Sequence, residues 1–319
     1  MIRSATPDAV AAAADLIRRG QLVAFPTETV YGLGADATNA EAVARVFAVK
    51  ARPSFDPLIV HIDGVERLAT VASQVPAAAL SLAERFWPGP LTVVLPKTAR
   101  IPAIVTAGLP SVAVRVPDHP VARALLAAAA TPIAAPSANP FGYVSPTTAA
   151  HVEAQLGALP LILDGGPCRV GVESTIVSFV GAAPALLRPG GVALEDIERC
   201  IGPVRIGGDA PRPIAPGQLP RHYAPRSPIT IVAAVGEVPR TERAGAALLL
   251  PAPDADAAGF AHVETLSTDG ALTAVAANLF AALRRLDAGG YARVYAVALP
   301  EVGLGRAIMD RLRRASALV

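Results

Sequence analysis

Residues Phe25–Ile62, FPTETVYGLGADATNAEAVARVFAVKARPSFDPLIVHI, hold the pattern from which the rest of the chain is read. The apolar run Leu22–Phe25 predicts a short strand, and a hydroxyl-dense turn, 26–31, follows it. Gly32-Leu33-Gly34 reads as a break before a helix in which Thr38 or Asn39 supplies the cap and Glu41 suits the helix dipole. Val43, Val46 and Phe47 recur at helical spacing and give that helix a core face. Pro53 ends it, because the residue before a proline resists helical angles. Leu58–Ile62 predicts a second strand, which carries His61. This order gathers hydroxyls and cations at element ends, where small-molecule sites form.

Lys50 and Arg52 fall at the helix exit, where a cation neutralises the C-terminal dipole. Composition adds a second reason for Lys50. Of the 28 basic residues only Lys50 and Lys97 are lysines, leaving 26 arginines. A lysine in so arginine-rich a chain points to a need for a compact ammonium rather than a planar fork.

The chain of 319 residues has room for one large domain or two ordinary ones, and with 52% apolar and 17% charged residues it reads as globular. A net charge of +2 is too small for a surface that coats nucleic acid. No uncharged apolar run reaches the roughly 18 residues of a membrane helix, and no signal peptide pattern is found. Cys168 and Cys200 form no metal-type pair and are expected as reduced thiols in a cytoplasmic protein.

Along the chain, Thr6-Pro7-Asp8 starts a helix that stops at Gly20, and 65–84 reads as helical segments broken at Pro76. Strands are expected at Leu91–Leu95 and Ser111–Val116. In the latter, alternation sets Ser111, Ala113 and Arg115 on one face. Arg115 in so apolar a strand needs a partner, either a bound anion or an internal carboxylate. After a helix at 119–129 and a strand at 132–135 comes a second polar loop, with Ser137, Asn139, Ser145 and Thr147. Ser145 or Thr147 could cap the helix that follows, but this leaves Ser137 and Asn139 unexplained. Further strands are expected at 161–163, 171–179 and 185–187, with Ser174 and Thr175 at the start of the second and a turn projecting Arg188 after the third. The Pro- and Gly-rich stretch 202–228 reads as a linker, yet contains the cluster Arg221-His222-Tyr223-Ala224-Pro225. Beyond it, strands at 229–235, 246–250 and 292–299 alternate with helices at 272–286 and 306–317, the last basic-faced, which implies a small parallel-sheet domain.

The polar residues at element ends are Thr27, Thr29, Lys50, Arg52, His61, Ser111, Arg115, Ser137, Asn139, Ser174, Thr175 and Arg188. Four are fixed cations, and no nucleophile elbow, zinc pattern or Walker loop accompanies them. Cations with hydroxyl and amide donors suit the positioning of a phosphate-bearing substrate.

The motifs FPTETVYGLG, KARP with PLIVHI, SVAVRVPDHP, APSAN, GVESTIVSF and LLRPGG, in this order, resemble the threonylcarbamoyl-AMP synthase (YrdC-type) family. RHYAP followed by a small α/β domain is similar to its longer two-domain form. The resemblance implies an α/β protein with a twisted mixed-sheet, open-faced catalytic domain at 1–203, a linker or lid at 204–227, and a small Rossmann-like parallel-sheet domain at 228–319. It implies condensation of L-threonine, bicarbonate and ATP, with Mg²⁺, to threonylcarbamoyl-adenylate and pyrophosphate, and a downstream tRNA threonylcarbamoyl transferase as partner. Carried over by motif, Thr27, His61, Arg115 and Ser174 would hold threonine. Lys50 and Arg52 would be catalytic and, with Asp56, Ser111, Ser137, Asn139, Ser145 and Arg188, would hold ATP, while Tyr223 would close over the nucleotide. No protein-borne metal site is implied. The chain departs from the family pattern at Asp56, where Asn is usual, at Phe141-Gly142 and at Gln218-Leu219-Pro220.

Two other readings compete. Hydrogenase-maturation carbamoyltransferases share the module but carry zinc-type Cys pairs and an acylphosphatase segment, which this chain lacks. A non-catalytic RNA-binding or ribosome-assembly protein, with weak RNA contact, would want more basic and stacking surface than 4% aromatics supply.

Overall fold

The computed structural model describes residues 1–207, 214–219 and 223–317; Arg221 and His222 of the RHYAP cluster lie outside the described residues. The first half runs β1 (Ile2–Ser4), α1 (Pro7–Arg18), β2 (Val23–Phe25), β3 (Gly32–Asp36), α2 (Ala40–Lys50) and β4 (Ile59–His61). It continues through α3 (Leu68–Val71), α4 (Ala77–Phe86), β5 (Leu91–Pro96), β6 (Ser111–Arg115), α5 (Pro120–Ala129) and β7 (Ile133–Ala134). Then come α6 (Ala149–Leu156), β8 (Leu161–Asp164), β9 (Thr175–Ser178), β10 (Ala185–Arg188), α7 (Leu194–Ile201) and β11 (Arg205–Ile206). These strands form one mixed sheet in the order β1-β8-β2-β3-β7-β4-β6-β5-β9-β10-β11. The remainder holds β12 (Ile229–Val232), α8 (Arg240–Arg243), β13 (Ala246–Leu250), β14 (His262–Thr265), α9 (Leu272–Ala288), β15 (Arg293–Val297) and α10 (Leu304–Ser316). Its four strands, β12-β15-β13-β14, are all parallel. Among the described residues no helix is long and apolar enough to cross a membrane.

The local signals place most elements. Thr6 caps α1 with its side chain, and Asn39, not Thr38, caps α2 by accepting the N–H groups of Glu41 and Ala42. Gly32-Leu33-Gly34 is not a break but the start of β3. Glycine is used there for close packing: a Cβ on Gly34 would sit 2.8 Å from the Phe25 ring and 2.9 Å from Ile133. Thr148, rather than Ser145 or Thr147, caps α6. The stretch read as a linker contributes β11, which pairs in parallel with β10. Strand β14, absent from the sequence reading, has an alternating half-buried pattern too short and polar to stand out.

The second sheet does not hang free. Val30, Val144, Val172 and Tyr223 share one buried apolar cluster with residues of α9 and α10. Arg284 of α9 donates to the carbonyl of Val144 and, at 2.8 Å, to Gln155 Oε1. Asp287 accepts the Tyr143 hydroxyl and the N–H groups of Arg226 (2.7 Å) and Ser227 (3.0 Å). Burial alone would raise the pKa of Asp287, but these hydrogen bonds outweigh it and hold it below the ordinary carboxylate value. A carboxylate depressed in this way stabilises the fold above its unfolded pKa of about 3.9, and the contribution is lost as pH falls through the folded value. Asp287→Ala strands three donors at the junction and is expected to cost about 3 kcal/mol in urea unfolding. The variant should also lose the acid-linked part of the stability–pH curve below pH ~4, and an unchanged urea midpoint would refute this role for the carboxylate.

Candidate functional site

The polar turn after β2, the ends of β4 and β6, the loop after β7, the approach to β9, the end of β10, and Pro216, Gly217 and Tyr223 converge on one cleft. Thr27, Arg52, His61 and Arg115 of the expected residues line it, together with Ser137, Ser174, Arg188 and Tyr223. Lys50, Asp56, Ser111, Asn139 and Ser145 do not line it; four of these five support its wall from behind.

At one end β4 and β6 pair in parallel with His61 opposite Arg115, which sets both side chains on one face. Arg115 donates to Glu28 Oε1 (2.5 Å), Thr29 Oγ1 (2.9 Å) and the Gly89 carbonyl (3.2 Å). The partner required by this buried arginine is therefore an internal carboxylate, Glu28, which the sequence reading passed over. A guanidinium has five N–H donors, so two remain for an anion in the cleft. Thr27 donates to the Val30 carbonyl at 2.6 Å and shares a 2.8 Å hydrogen bond with Thr29, which holds the turn closed. Burial, and then the charge of Arg115, push the His61 pKa down to about 3. His61 is thus neutral near pH 7, and its buried Nδ1 has no hydrogen-bond partner among the described residues. A buried polar atom left unpaired is costly.

The other end is cationic. Lys50 closes α2 and donates to the carbonyls of Ser137 (2.6 Å) and Asn139. Burial and then the neighbouring Arg52 push its pKa well below the usual value, with Asp56 opposing. Arg52 donates to the Asp56 and Pro57 carbonyls, and its guanidinium lies 2.9 Å from the Asp56 carboxylate. Asp56 is fully buried, and burial raises its pKa against the pull of Arg52, Lys50 and Arg188. Asp56, expected from sequence to contact a nucleotide, is not among the residues that line the cleft; its partner Arg52 is. Asn139 spends its amide on the carbonyls of Pro140 and Tyr143, and Ser145 donates to Glu173 Oε1 at 2.6 Å. Both hold the wall rather than face the cleft. Ser111 lies four residues from Arg115, about 13 Å along the same strand face, and so does not join it in the cleft.

Arg188 is not projected by a turn. It is the buried last residue of β10, donating to the Ser174 carbonyl (2.9 Å), Ser174 Oγ (3.1 Å) and the Pro216 carbonyl (3.2 Å). Ser174 Oγ also bonds to Thr92 Oγ1 at 2.8 Å. Among the described residues, neither Lys50 nor Arg188 has a carboxylate within 4.0 Å, whereas Arg52, Arg115 and Arg311 each do. Two buried positive charges without acids mark a place for an anion.

Two further residues were missed. Glu173 lines the cleft and is held by Arg311 of α10 at 2.7 Å. Arg311, expected on a basic surface, is fully buried, and its guanidinium lies 5.0 Å from the ring centroid of Tyr223. Tyr223 in turn stacks on Phe280 of α9 at 5.5 Å, so the linker residue that lines the cleft is packed against the second sheet's helices. A Glu directly before Ser174 in an apolar strand was the one available signal for Glu173; for Arg311 none existed in its local sequence.

Comparison with known proteins places this geometry. Residues 15–190 match a family model for Sua5, YciO and YrdC proteins described as telomere recombination, and residues 192–317 match one described as threonylcarbamoyl-AMP synthase, C-terminal domain. The chain is 44% identical to the threonylcarbamoyl-AMP synthase of Pyrococcus abyssi, over 95% of this chain and 93% of that one. It is 42% identical to that of Bacillus subtilis, over 96% and 92%. The crystal structure of P. abyssi Sua5 complexed with L-threonine superposes with a TM-score of 0.90 at 42% identity, covering 99% of this chain and 96% of that one.

Proposed function

We propose, from the premise that this chain belongs to the threonylcarbamoyl-AMP synthase family, that it joins L-threonine, bicarbonate and ATP into threonylcarbamoyl-adenylate. The observation that carries this reading is the polarity of the cleft. Arg115 and the neutral His61 occupy one end, and Arg188, with no carboxylate within 4.0 Å among the described residues, occupies the other with Lys50 beneath the Ser137 loop. The first end suits an amino acid: Arg115 offers its spare donors to the carboxylate, and His61 and Thr27 meet the other polar groups. The second end suits the triphosphate, with Arg52 tempered by Asp56.

In this reading the threonine amine takes up bicarbonate with loss of water, and the carbamate oxygen displaces pyrophosphate from the α-phosphorus. The protein's part is to hold both substrates in line and to stabilise charge on the phosphoryl oxygens. Glu28, Asp56 and Glu173, the carboxylates at or behind the cleft, are each paired with an arginine, and no three-residue metal cluster occurs among the described residues. Mg²⁺ therefore fits as part of the Mg·ATP substrate, held by phosphates and water rather than by a protein cage. The product is an activated carbamoyl, so a tRNA threonylcarbamoyl transferase would consume it. The RNA-binding alternative is disfavoured because the cleft cations are buried and bonded to carbonyls, a setting for a small anion.

Purified protein with Mg·ATP and bicarbonate is expected to release pyrophosphate only when L-threonine is added. Release that ignores threonine, or its absence, would overturn the assignment; tRNA binding without any release would favour the alternative.

A further inference from the structure

Arg311 of α10 is fully buried and touches the cleft wall at several points. Its Nε donates to Glu173 Oε2 (2.7 Å) and its NH2 to the Pro189 carbonyl (3.0 Å), the residue after Arg188. Its NH1 donates to Asp310 at 2.6 Å, and its guanidinium lies over the Tyr223 ring. Glu173 is the only carboxylate among the described cleft-lining residues, and it precedes Ser174, whose carbonyl holds Arg188. Glu173 and Arg188 already interact across the cleft wall without forming an ion pair within 4.0 Å. A free carboxylate there would compete with phosphate for Arg188.

We propose that Arg311 is a positioning residue that keeps the anion end of the cleft cationic, by capturing Glu173 and so leaving Arg188 free for the nucleotide phosphates. The C-terminal domain is then part of the nucleotide site and not only a support for it. This inference rests on the reading of that end as the ATP site. Burial would raise the pKa of Glu173, but the charges of Arg311 and Arg188 and the Ser145 hydroxyl outweigh it, so the carboxylate stays ionised. Once Arg311 is neutralised, Arg188 is the other cation whose charge acts on Glu173, and the pair that forms closes the phosphate position. Threonine, bound at the Arg115 end, is untouched by this exchange.

Calorimetric titration at pH 8 with a non-hydrolysable Mg·ATP analogue, and separately with L-threonine, tests it. Arg311→Met is expected to weaken the analogue at least tenfold and leave threonine within threefold. Adding Glu173→Gln to Arg311→Met removes the competitor and is expected to recover at least fivefold. A double variant as weak as Arg311→Met, or equal loss of both ligands, overturns the proposal in favour of a purely structural role. If circular dichroism shows that Arg311→Met does not fold, Arg311→Lys decides: it keeps a cation for Glu173 and should hold the analogue within threefold, and a tenfold loss with threonine binding retained refutes charge capture. Failure of the wild-type protein to bind the analogue at all would instead overturn the assignment of the ATP site, and this inference with it.

Discussion

Lys50→Ala is expected to lower kcat/KM for pyrophosphate release by about 10³-fold, the order of effect seen when one preorganised electrostatic contribution to developing charge is removed, while threonine affinity stays within threefold. The ammonium is buried, has no acid within 4.0 Å among the described residues and is bonded to two carbonyls of the Ser137–Asn139 loop. Carbonyls satisfy its hydrogens but do not neutralise its charge, so burial presses its pKa well down. An incoming polyphosphate supplies the missing negative charge, and the gain grows as charge builds on the phosphoryl oxygens. Removing Lys50 therefore withdraws that charge and also unties Ser137, which lines the cleft, from the end of α2. Lys50→Arg separates the two effects, because it keeps the charge but replaces a compact ammonium with a fork too large for the same pocket. It too should fall by at least tenfold. Lys50→Ala with more than a tenth of wild-type turnover would show that the phosphates lie elsewhere.

The second large effect lies at the opposite end. Arg115→Lys is expected to raise the KM for L-threonine by about 30- to 100-fold, the equivalent of losing about 2–3 kcal/mol of charge-assisted hydrogen bonding, with Mg·ATP affinity unchanged. Lysine keeps a positive charge beside Glu28, so the buried carboxylate is not abandoned. It cannot also reach Thr29, Gly89 and a ligand carboxylate as the guanidinium can. Arg115→Ala would be less informative, since leaving Glu28 buried and unpaired costs about 3–5 kcal/mol of stability and would blur binding with unfolding. A threonine KM within threefold of wild type in Arg115→Lys would remove Arg115 from the amino-acid site.

The two ends differ in how far they could be read from sequence. The strand–turn–helix–strand pattern of 22–62 was legible because caps, helical periodicity and proline stops act over a few residues: Asn39 starts α2, Lys50 ends it and Pro53 prevents its continuation. The need of Arg115 for a partner was legible from alternation in β6, but not which partner, since Glu28 lies 87 residues away and is brought in by the turn after β2. Gly32-Leu33-Gly34 was misread because glycine's local preference for breaks was overridden by the packing of Phe25 and Ile133 onto a bare strand.

Short-range chemistry carries the elements, the pool of cations and hydroxyls from which the site is drawn, and the order of motifs that marks the family, so all three are legible along the chain. Tertiary structure alone decided which of those residues face the cleft and which stand behind it. Lys50, Asn139 and Ser145 became wall, Asp56 was turned onto Arg52, and Glu173 was handed to Arg311 from 138 residues away. The physical reason is that a buried charge takes whichever partner the completed fold sets beside it, and sheet order, not sequence distance, makes that choice.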